Sequence, residues 1–233
     1  MTESAGVPRG LTLASPEDRG DTAAFVARAV RVDDSGVLRL RRRDDGLVGL
    51  WVRTGFDVLA TRAVFGSLEP TDVVADAGAV SASLAAGDDV VALGFALPAA
   101  WRGALPGSDG FVHVDDIPAR ELIALARKGS QVAREESGAL GPASSLLDQT
   151  VLTVSRDEAP DERAEITMRA VFALTSMGFV RDGDGREITE DSPLTAIAEG
   201  EPVRVRMSPA WIRVDARYGS VYQRRARLGL SLL

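Results

Sequence analysis

The chain has no cysteine, one histidine (His113) and one lysine (Lys128) in 233 residues. Without cysteine there is no disulfide, no thiolate nucleophile and no Cys-based metal site. With a single histidine, a zinc centre would need carboxylates and water for its remaining ligands, an uncommon set. Aromatic residues are only 5% of the chain, so the core must be built from Val, Leu, Ala and Ile. No apolar run approaches the ~20 residues a membrane helix requires. The polar opening "MTESAGVPRGLTLASPEDRG" lacks the basic-then-apolar order of a secretory signal. The expectation is a cytoplasmic protein. G-x-x-x-x-G-K-[ST], G-x-G-x-x-G and G-x-S-x-G are all missing, which removes the common nucleotide cradles and the nucleophile elbow. No catalytic residue, cofactor, metal or small-molecule ligand is indicated, and the expectation is a protein that is not an enzyme.

What is present is an ordinary globular composition, 45% hydrophobic and 26% charged, with a net charge of −7. That charge argues against general polyanion binding. Of 27 cationic residues, all but Lys128 are arginine. Plentiful Ala, Val and Gly alongside them match the codon usage of a GC-rich genome. The competing explanation is selection for bidentate contacts with carboxylate or phosphate.

Periodicity predicts an α+β fold: mainly antiparallel meander sheets with packed helices, in two halves, 1–115 and 116–233. A helix is expected from Asp21, its cap, to Val32, with Phe25, Val26, Ala29 and Val30 on one stripe. "VLRLRRRDDGLVGLWVRT" reads as a hairpin turning at Asp45-Gly46. "FDVLATRAVF", "TDVVA" and "DDVVALGFAL" read as strands, with a helix from Asp76 closed by Gly87 between the last two. "FVHV" is a strand leading to Asp116, the expected cap of "IPARELIALARKGSQVAREE", a helix that Gly129 interrupts. "SSLLDQTVLTV" is a short helix running into a strand. "DERAEITMRAVFALTSMG" carries acids in its first turn and Gly178 past its end, the pattern of a long helix. "SPLTAIAEG" is a helix of one to two turns. "PVRVRM", "WIRVDAR" and "SVYQRRA" close the chain as three strands.

Two local patterns invite chemistry and fall to simpler explanations. His113 and Asp115 alternate onto one strand face, but no serine stands in a nucleophile's setting. "RDGDGREITEDS" resembles a calcium loop, yet Gly185 at its sixth position puts Val180 at the first and Asp191 at the twelfth. A tight glycine hairpin accounts for the same residues.

One surface has a physical case. From Val203 to Arg227 there are seven arginines against Asp215 alone, a charge of +6 that leaves −13 for the rest of the chain. Alternation turns Val203, Val205, Met207, Ile212, Val214 and Ala216 inward and arginines outward. The candidate interaction surface is Arg204, Arg206, Trp211, Arg213, Arg217, Tyr222 and Arg224. Protein contact, with a partner or in a homodimer, is the leading reading. A nucleic-acid-associated regulator with a winged-helix-like C-terminal half is the alternative, since aromatics beside arginines stack bases and hold phosphates. An enzyme of unrecognised type is third.

"WRGALPGSDGFVHVDDIPARELIALA", "LGPASSLLDQTVLTV" and "WIRVDARYGSVYQRR", with "VLRLRRR" and "LATRAV" in the first half, resemble a family of conserved hypothetical proteins from actinobacterial genomes. Trp101, Pro106 and Leu146-Leu147-Asp148-Gln149 are the most distinctive positions. The resemblance implies a GC-rich actinobacterial source and carries no assigned activity, so it transfers no functional residue.

Overall fold

The computed structural model describes residues 9–32, 36–136, 144–156 and 158–225. The chain is α+β, with antiparallel strand pairings and packed helices. It divides into two compact units, one within Met1–Gly55 and Thr61–Leu105, the other within Phe56–Ala60 and Pro106–Leu233. Arg227, counted in the basic strip, lies outside the described residues.

The first unit holds β1 (Gly10–Leu13), α1 (Pro16–Val32), β2 (Val37–Arg42), β3 (Val48–Arg53), the part of β4 (Leu59–Val64) from Thr61 onward, β5 (Gly66–Glu69), β6 (Asp72–Asp76), α2 (Ala77–Ala86) and β7 (Val90–Ala92). Its strands form the series β6-β2-β3 and a second sheet, β5-β1-β7. Leu38, Leu40, Val48 and Leu50 are fully buried, as their alternation requires. α1 starts earlier than expected. Ser15 caps it, accepting from the Asp18 amide at 3.1 Å while its hydroxyl donates to Asp18 Oδ2 at 2.6 Å. Asp21, the expected cap, instead pairs with Arg62. On the helix stripe Phe25, Val26 and Ala29 are buried, but Val30 is 41% exposed. α2 is capped at Asp76, which accepts from Ala79 N at 2.7 Å, and it ends at left-handed Gly87, as expected. The "DDVVALGFAL" strand shrinks to β7 because Gly94 takes a positive φ of 62° and turns the chain.

The second unit holds β8 (Val112–Pro118), α3 (Ala119–Glu136), α4 (Ser144–Leu147), β9 (Thr150–Arg156), β10 (Ala159–Thr167), α5 (Met168–Ser176), β11 (Pro202–Met207), β12 (Trp211–Ala216) and β13 (Gly219–Arg224). β13-β12-β11-β8 form one antiparallel run, and β9 pairs with β10. The winged-helix outline does not form, because the arginine strands join β8 in a sheet that packs on α3 and α5.

The long helix expected over "DERAEITMRAVFALTSMG" is a strand followed by a helix. Ala164 and Ile166 are fully buried while Arg163 and Glu165 face out, and the stretch pairs with β9 from Arg163 to Thr167. Only from Met168 does burial turn helical. Asp116 caps nothing, since β8 continues to Pro118 before α3 begins. Gly129 does not interrupt α3. A Cβ there would lie 2.6 Å from Met168 Cε and 3.1 Å from Phe172 Cζ, so the glycine lets α3 and α5 approach. The α4–β9 link is fastened to α5 by Arg169 Nε, which donates to Asp148 Oδ1 at 2.7 Å; this hydrogen bond holds the Asp148 carboxyl below its ordinary value. The suspected calcium loop is a turn. Asp182 Oδ1 accepts from the amides of Asp184 and Arg186, Gly185 takes φ 80°, and the backbones of Arg181 and Glu187 form an isolated antiparallel β-bridge.

Candidate protein-contact face of the second unit

Six of the seven candidate residues come together on one face of the β13-β12-β11-β8 sheet. Strand alternation puts them there, and cross-strand register makes them neighbours. Arg204 lies opposite Asp215, Arg206 opposite Arg213, Arg213 opposite Tyr222 and Trp211 opposite Arg224. The other face carries Val203, Val205, Met207, Ile212, Val214 and Val221, all buried. Gln223 also points that way, its side-chain oxygen accepting from the Thr167 amide at 3.0 Å. Arg217 does not join the face. It stands exposed in the turn between β12 and β13, 5.7 Å from the Tyr218 ring.

Asp215 organises the arginines. It is only 9% exposed and takes an ion pair from Arg206, a second from Arg213 Nε at 2.5 Å, and the Ser220 hydroxyl at 2.5 Å. Two guanidinium groups that face each other across β11 and β12 thus share one carboxylate, which offsets one of their two charges. At the far end Arg224 covers the Trp211 ring at 4.5 Å from its centroid. Tyr222, 5% exposed, meets Trp211 and Phe111 edge-on, with centroids 6.5 and 5.8 Å apart. Arg213 lies 5.5 Å from the Tyr222 centroid. Arg204 and Arg224 are the exposed arginines of the face.

Three residues of this face were missed or misplaced by alternation alone. β8 carries a bulge: Val205 faces Asp115 and Arg206 faces His113, so Val114 is the extra residue. The bulge resets the parity, and His113 Nε2 meets Asp116 Oδ1 at 2.9 Å rather than Asp115. Asp116 also stands 3.9 Å from Arg204. Phe111, just before β8, closes over Tyr222. The four arginines against Asp116 and Asp215 leave the face at +2, far from the +6 of the linear strip.

Chemically the face presents held guanidinium groups around a tryptophan. Arg224 lies over one side of the half-buried Trp211 ring, and Tyr222 is buried. Among the described residues His113 has only Asp116 as a side-chain partner, so no hydroxyl stands beside it as a nucleophile. No group of three or more His, Asp or Glu among the described residues is placed to hold a metal ion. Nor is any helix among them long and apolar enough to cross a membrane.

No curated protein matches the chain. Solved structures do, bacterial sliding clamps among them. The beta sliding clamp of Caulobacter crescentus matches with a TM-score of 0.50 at 15% identity, over 95% of this chain and 65% of its own. The sliding clamp (DNA polymerase III subunit beta) of Bartonella birtlesii, bound to griselimycin, matches at 0.53 and 15% identity, over 94% of this chain and 65% of that one. The DNA polymerase III beta subunit of Thermotoga maritima matches at 0.50 and 9% identity, over 94% and 64%. At such identities the likeness is one of fold, and the chain spans just under two thirds of the clamp chains. Residues 7–103 match the model of the domain of unknown function DUF8010. Residues 106–228, more than half the chain, match that of the domain of unknown function DUF8185, and the chain belongs to that family.

Proposed function

We propose that this chain works without catalysis, as a clamp-fold protein that docks another protein, or a second copy of itself, on the outer face of the β13-β12-β11-β8 sheet. The observation that carries this is the pre-organised arginine set: Arg206 and Arg213 held by Asp215, and Arg224 laid on Trp211. A guanidinium held in place loses little side-chain entropy when a partner carboxylate reaches it. Tryptophan and arginine are also the residue types that dominate binding energy at protein interfaces. The fold supports the same reading, because the clamps it resembles are described as subunits of a polymerase or as clamps. The test is affinity capture from the native host's extract. A partner held by the wild type should be lost with Trp211→Ala and with Arg204→Glu, and kept with Arg186→Ala in the distant turn. Recovery of the same proteins by all four chains would sink this reading.

A second reading, DNA association, is favoured by the clamps being polymerase III components and by the residual +2 of the face. It ranks lower because Arg206 and Arg213 already have their anion in Asp215.

A further inference from the structure

Helix α3 carries Arg120, Arg127 and Arg134 at seven-residue spacing, which is two helical turns, so all three leave it on one side. Each reaches the chain segment 189–197. Arg120 Nε donates to the Ile197 carbonyl at 2.9 Å, and Arg127 Nη2 donates to the carbonyls of Thr189 and Ser192 at 2.8 and 2.5 Å. Arg134 pairs with Glu190. The segment so clasped forms one wall of a cleft of about 450 Å³, with α3 and the last turn of α5 as the others. All of it lies within the second unit. The floor is apolar: Phe56 and Phe172, ring centroids 5.7 Å apart, with Ile123 and Ala126.

We propose that this cleft binds a small amphipathic anion, its apolar body on Phe56, Phe172 and Ile123 and its charged head at Arg127. Three observations point to that ligand. The volume falls within the roughly 300–1,000 Å³ of small-molecule sites, and the lining surface is mainly apolar; the one carboxylate on it, Glu190, is already paired with Arg134. Arg127 is bonded only to neutral carbonyls, so among the described residues its charge has no carboxylate partner, whereas Arg134 has Glu190. Ser130, one turn further along α3, lines the same cleft with a hydroxyl that has no hydrogen-bond partner among the described residues. A half-buried cation beside an apolar floor is complementary to a carboxylate or sulfonate on a hydrocarbon or aromatic body, and unsuited to a cation. This site is separate from the sheet face and stands whether or not a protein docks there.

Binding of decanoate and of 8-anilinonaphthalene-1-sulfonate to the full chain, by calorimetry and fluorescence, tests the proposal. Saturable one-to-one binding is expected, with decanol and decylamine weaker by about tenfold or more, the scale of one charge-assisted hydrogen bond. Arg127→Gln should weaken decanoate by about the same factor. Ser130→Trp, which fills the cleft, should abolish binding, with Ser130→Leu as the smaller obstruction should the tryptophan disturb α3. Circular dichroism establishes that each variant is folded. The proposal is overturned by absent or non-saturable binding, by decanol binding as well as decanoate, or by Arg127→Gln or Ser130→Leu leaving the affinity unchanged. It is equally overturned if only an acidic apolar peptide binds.

Discussion

Asp215 shows how one carboxylate decides what a row of arginines can do. Arg206 and Arg213 sit directly opposite each other on neighbouring strands, an arrangement that like charges resist. Asp215 sits between them, pairing with Arg206 through Oδ2 and accepting from Arg213 and Ser220 through Oδ1. Asp215→Asn keeps the shape and removes the charge, leaving two cations facing each other over a neutral amide. A loss of about 1–3 kcal/mol is expected, read as a lower urea midpoint with an unchanged m-value. Arg204→Ala, whose contact with Asp116 is long and exposed, should stay within about 0.5 kcal/mol of wild type. Equal effects from both would mean that Asp215 does not organise the face. Strand alternation is enough to turn each of these side chains outward. The sharing of Asp215 was not legible in the sequence, because it depends on the offset between β11 and β12.

Elements were legible where periodicity and termini agreed, and misread where one feature served two structures. β2, β3, β6 and α2 carry alternation or a capped apolar stripe with a glycine stop, and all form where expected. The stretch Asp161–Met177 misled because Asp161, Glu162 and Glu165 look like a first helical turn. On β10 they are instead the solvent side of a strand whose inward residues are Ala164 and Ile166. Only the pairing with β9 separates the two cases, since charge alone favours neither. The start of α1 was misread for a different reason. Ser15-Pro16-Glu17-Asp18 is a legible capping box with proline at the first helical position, but Asp21 offers a second capping side chain further along. The arginines of α3 at 120, 127 and 134 were also plain in the sequence, but without the segment 189–197 the spacing had no consequence. Gly219, which opens β13, is a further case. A Cβ there would stand 2.4 to 2.6 Å from three ring atoms of Phe179, itself 1% exposed. A buried ring cannot step aside as a flexible chain end can. Gly219→Ala should cost about 1–3 kcal/mol and lower the melting temperature, with the β12–β13 amides losing hydrogen-exchange protection first.

For the whole molecule the question is how a chain of net charge −7 uses its cationic strip. Of the four arginines on the sheet face only Arg204 and Arg224 are exposed, so random duplex DNA held by that face should bind weakly at low salt, with a log K against log salt slope no steeper than about −2. Arg224→Glu should remove most of that binding and Arg213→Glu little of it. A slope near about −6, weakened equally by both variants, would restore the nucleic-acid reading over protein contact. By itself the sequence determined the class of the molecule: an α+β chain with antiparallel strands, no cysteine chemistry, a mainly aliphatic core, and a final sheet with apolar and basic sides. These follow from composition and from periods of about 2 and 3.6 residues, which are local properties of the chain. The tertiary structure alone decided which charges neutralise each other, where the bulge at Val114 brings His113 to Asp116, and that α3, α5 and a clasped segment enclose a cleft. Each of those is a distance between residues brought together by strand register and helix packing rather than by any local pattern.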